Sequence, residues 1–80
     1  QKSLALKSGK TYTFTYPTGH PFRFSQTSDG THSSGITFDT NVDTSGSSTV
    51  TLAVTSSTPK TLYYFCTFHS GMGGTIKIVD

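Results

Sequence analysis

Thr11-Tyr12-Thr13-Phe14-Thr15-Tyr16 sets an aromatic residue against a threonine at every step. Successive side chains of an extended strand point to opposite faces, so Tyr12, Phe14 and Tyr16 share one face and the threonines the other. The segment reads as a half-buried strand, and Pro17, Thr18 and Gly19 end it. The same period recurs on both sides. Leu4 and Leu6 alternate with Ser3, Ala5 and Lys7 ahead of a Ser-Gly turn. His20, Phe22 and Phe24 share a parity, so a strand begins at or just after His20. A short strand is expected around Ile36 to Phe38, then one carrying Val50, Leu52 and Val54. In Thr61–Cys66, Leu62, Tyr64 and Cys66 lie on one face, and a last strand, Thr75 to Val79, places Ile76 and Ile78 together. Gln26 to Gly35 and Asn41 to Ser48 read as polar loops, and Thr67 to Gly74 as a Gly-rich loop. Six or seven short strands, spaced by roughly 8–12 residues, predict one all-β domain over residues 1–80, an antiparallel sandwich or barrel.

Composition agrees. There is no Glu, Ala occurs twice, and Ser and Thr make up 28 of the 80 residues, which disfavours helix and suits strands and turns. A single cysteine excludes an internal disulfide. No run of about 18 apolar residues is present to form a transmembrane helix. A net charge of +2 is too small and dispersed for a nucleic-acid footprint. Low charge and abundant Ser and Thr point to an exported protein, periplasmic, extracellular or lumenal, whose signal segment is not present in this chain. No strongly apolar exposed strand asks for a second copy, so a monomer is expected.

Chemistry concentrates in Tyr63-Tyr64-Phe65-Cys66-Thr67-Phe68-His69-Ser70-Gly71-Met72-Gly73-Gly74. A thiol, an imidazole and a thioether follow one another as Cys-x2-His-x2-Met at the end of a strand. Each is a soft or borderline donor that favours copper, and one Cys, two His and a weak axial Met make an electron-transfer copper site. The second histidine must come from elsewhere. His20 is preferred, because it is in phase with Phe22 and Phe24 at a strand start. His32 sits in a polar loop and reads as a solvated residue.

These residues resemble the cupredoxin family of small blue (type 1) copper proteins, which includes plastocyanin, amicyanin and pseudoazurin. The match runs over Tyr64-Phe65-Cys66-Thr67-Phe68-His69-Ser70-Gly71-Met72 and the closing Gly74-Thr75-Ile76-Lys77-Ile78-Val79, with Gly19-His20-Pro21-Phe22-Arg23-Phe24 in the place of the first ligand. The resemblance implies a Greek-key fold, equatorial ligation by His20, Cys66 and His69, and axial ligation by Met72. It also implies single-electron transfer, with redox partners docking near His69 and Phe68. Several relatives carry Asn after the first histidine, whose N–H donates to the cysteine sulfur; Pro21 has no N–H. Phe68 stands where relatives such as amicyanin have Pro, so its N–H is expected to donate to the sulfur instead.

Other readings are weaker. A copper carrier or sensor, or one cupredoxin domain of a larger protein, would use the same ligands, but a dedicated Cu(I) carrier usually has several methionines and Met72 stands alone. A Cys66 nucleophile with His69 as base lacks an evident orienting partner, so no enzyme is expected. Zinc could occupy Cys66, His20 and His69 with Met72 unused. Asp39 to Gly46 faintly resembles a calcium loop, but Thr44 and Val50 stand where Gly and Glu are needed.

Overall fold

A computed structural model describes residues 3–80, and it is a small all-β sandwich. Among the described residues there are eight strands: β1 Leu4–Lys7, β2 Thr11–Thr15, β3 Phe22–Ser25, β4 Thr37–Phe38, β5 Val42–Asp43, β6 Thr49–Ala53, β7 Thr61–Cys66 and β8 His69–Val79. One sheet has the order β1-β8-β7-β3-β4 and the other β2-β6-β5. The expected alternation sets the registers. Phe14 faces Val50 and Tyr12 faces Leu52 across β2 and β6, while Phe24 faces Tyr64 and Leu62 faces Ile76 in the larger sheet. Leu6, Phe24, Val50, Leu52, Val54, Leu62, Ile76 and Ile78 form the buried core between the sheets. Phe14 meets Phe24 edge-to-face at 5.6 Å, joining the two layers.

The structure departs from the sequence expectation in four places. Strands β1 and β8 pair in parallel, so the sandwich is not wholly antiparallel. These two strands lie at opposite ends of the described chain, and everything between them serves as the crossover that a parallel pair requires. Val42–Asp43, inside an expected loop, forms a short edge strand because Val42 lies opposite the buried Leu52. Its end is shaped by Asp43, whose carboxylate accepts from the Ser45 amide at 2.8 Å and hydroxyl at 2.6 Å. Those bonds hold the Asp43 carboxyl below its ordinary pKa and occupy the side chain in the calcium-like stretch. The Gly-rich segment after Cys66 is largely strand, since β8 starts at His69 and runs on to Val79. The loop Gln26 to Gly35 also holds a short 3-10 turn, Gly30–Ser33.

Phe65 belongs to none of the core cluster, yet it is fully buried. It has the opposite parity to Leu62, Tyr64 and Cys66 on β7, so its ring lies on the other face of the sheet. The 3-10 turn covers it there. Gly30 is packed so closely that a Cβ at this position would enter the Phe65 ring, and its φ of +52° is also a glycine conformation. His32 stands edge-on to the same ring at 6.2 Å. What reads as a solvated loop is the lid of a small second core.

Candidate metal centre

Strands β7 and β8 form a hairpin in which Cys66 pairs with His69 across the turn residues Thr67 and Phe68. Local chain geometry alone therefore brings a thiol and an imidazole together. The third group arrives through β3, whose Phe22 is in register with Cys66. His20 lies just before that strand, at the same end of the sheet. The Thr67 amide donates to the Pro21 carbonyl at 3.0 Å and ties the two ligand-bearing segments together.

Among the described residues, His20, Cys66 and His69 form a group able to hold a metal ion, with ligand atoms all within 4.8 Å of one another. Cys66 Sγ lies 3.8 Å from His20 Nδ1 and 3.6 Å from His69 Nδ1, and the two rings are 4.7 Å apart. A first-row ion with bonds of about 2.3 Å to sulfur and about 2.05 Å to nitrogen, at angles of about 110–120°, would set S···N edges of about 3.6–3.8 Å. The two S···N edges match that polyhedron. Cys66 is completely buried, His20 half-buried and His69 exposed, so the site lies at the surface end of the sandwich.

Met72 lies close to these three residues. It sits on β8 and lines a shallow hollow with Phe22, Tyr64, Gly71 and Gly73, and it is 41% exposed. Gly73 lets this part of β8 approach β7, because a Cβ there would collide with the Tyr64 backbone. Phe68, at the tip of the hairpin turn, is 67% exposed. Its amide, expected to donate to the Cys66 sulfur, is not among that sulfur's hydrogen-bond partners in the described residues, which are the two imidazoles. Neither Thr67 nor Phe68 takes a positive φ, so the turn is not of the primed type usual in two-residue hairpins.

The structure corrects the reading of His32. Its ring is exposed but not merely solvated, since Nε2 lies 2.7 Å from the Cys66 carbonyl oxygen. Asp29, which sequence reasoning passed over, accepts a hydrogen bond from the Gly71 amide at 3.0 Å. The overlooked signal was Phe65, an aromatic on the wrong parity that had to be covered by something. Comparison of the chain with protein-family models, curated proteins and solved structures finds no match.

Proposed function

We propose that this domain is a cupredoxin-like, mononuclear type 1 copper protein that passes single electrons between redox partners. The observation that carries the reading is the approach of Cys66 Sγ to both His20 Nδ1 and His69 Nδ1 at metal-ligand separations, in a group whose ligand atoms all lie within 4.8 Å of one another. His20, Cys66 and His69 would be the strong ligands and Met72 the weak one. Such a thiolate, imidazole and thioether set favours copper over harder ions and over zinc, which would leave the thioether unused. Copper would supply a one-electron couple between Cu(I) and Cu(II).

The protein's own part is to hold the donors. Burial keeps Cys66 away from solvent and competing thiols, and the paired strands fix its distance to His69. Exposed His69, flanked by the apolar Phe68 and Met72, offers a small docking patch for a partner. A net charge of +2 gives only modest electrostatic steering. The low-charge, Ser- and Thr-rich surface fits an exported, monomeric protein, and the reading assigns no catalytic residue. Exposure of His69 and Met72 also suits a copper carrier on the same fold, because an incoming ligand could reach the site.

Voltammetry of the copper-loaded protein separates these readings. Electron transfer predicts a reversible one-electron wave, with copper retained through repeated cycles; release of the ion on reduction would favour the carrier. His20→Ala should abolish the wave. His32→Ala should keep it, because His32 reaches the Cys66 backbone and not the ligand cluster.

A further inference from the structure

Asp29-Gly30-Thr31-His32 crosses the outer face of β7 and grips the metal-centre hairpin at two points. The Cys66 carbonyl can only accept, so His32 carries its proton on Nε2 and donates across the 2.7 Å contact. At the far end, Asp29 Oδ1 accepts from the Gly71 amide at 3.0 Å. Between these anchors Gly30 rests directly on the Phe65 ring, so the turn is seated against a packed side chain. Asp29 adopts a positive φ of 62°, a conformation that costs a residue with a Cβ and needs support from its surroundings. The bonds leave the ligand side chains of Cys66, His69 and Met72 uninvolved and act only on the backbone that carries them.

We propose that Asp29 and His32 are positioning residues that hold the Cys66–Met72 segment in its ligating conformation before any metal arrives. The proposal rests on the metal-site reading above and assigns a role to a loop outside the ligand set. A backbone fixed in advance loses less freedom when an ion binds, so the clamp should raise affinity for the metal. It adds to the tie that the Thr67 amide makes to the Pro21 carbonyl on the His20 side.

The first tests use the apo-protein. His32→Ala should speed alkylation of buried Cys66 by iodoacetamide about fivefold, the loss of one ordinary hydrogen bond. Asp29→Gly should speed hydrogen exchange at the Gly71 amide about tenfold, since that bond is charge-assisted. Glycine keeps the positive φ accessible, so this variant chiefly removes the carboxylate. His32→Gln and Asp29→Asn restore a donor and an acceptor and should return both rates to within about twofold of wild type. Copper affinity, measured by competition with a chromophoric chelator, should fall about tenfold or more in the removal variants and recover in the conservative pair.

Unchanged alkylation and exchange in His32→Ala and Asp29→Gly would overturn the clamp, as would failure of the conservative variants to rescue them. Both rates are read without metal, so they decide the clamp independently of copper uptake. A wild-type protein that takes up no copper would overturn the metal reading alone.

Discussion

Saturation with copper is expected to raise the melting temperature of the apo-protein by roughly 15–30 °C. The candidate ligands come from two segments 46 residues apart, His20 before β3 and Cys66 with His69 in the β7–β8 hairpin. In the unfolded chain nothing holds these segments together, so an ion held by them would bind the folded state in strong preference. Ligand at about a thousand times its dissociation constant stabilises by about 4 kcal/mol, and in a domain of this size each kcal/mol moves the midpoint by about 4–8 °C. No disulfide competes for this role, because Cys66 is the single cysteine and is free. Differential scanning calorimetry with and without copper measures the shift. Equal midpoints at saturating copper would mean that the cluster holds no ion in the folded state.

Phe65→Ala is expected to remove about 3–5 kcal/mol from the stability of the apo-protein, the usual cost of emptying a buried aromatic site. A domain of 80 residues has only about 4–12 kcal/mol to lose. The void would open beneath Gly30 and beside His32, which pack on this ring, and next to Cys66 on the strand. The Asp29–His32 turn would lose its seat, so Cys66 should become reactive toward alkylating agents as well. Phe65→Leu keeps much of the volume and should cost far less. Urea denaturation of the apo-protein reads both variants. A loss below about 1 kcal/mol for Phe65→Ala would show that the turn does not pack on the ring as described.

The two layers and the principal strands were legible because period-2 alternation is strong from Thr11 to Tyr16 and again from Thr61 to Cys66. The Cys66–His69 approach was legible for a local reason, since two turn residues separate partners in a hairpin. His20 was legible from phase, sharing its parity with Phe22 and Phe24 as Cys66 does with Leu62 and Tyr64. Other features depend on contacts distant in sequence. Val42 became strand because it lies against Leu52, and no pattern within two residues could show that. His32 and Asp29 look like ordinary loop residues until Phe65, 33 positions after His32, draws their turn onto the sheet. The expected Phe68 hydrogen bond rested on the resemblance to cupredoxins; here the amide sits at a turn tip and the sulfur meets two imidazoles instead.

The most direct test of the metal centre is titration of the apo-protein with Cu(II), followed by visible absorption and electron paramagnetic resonance. A type 1 centre at Cys66 should give an intense thiolate-to-copper band and narrow copper hyperfine splitting, saturating at one copper per chain. Ascorbate should bleach the band, and Cys66→Ser should abolish it. A colourless complex, or a band that survives Cys66→Ser, would contradict a Cys66-ligated type 1 centre.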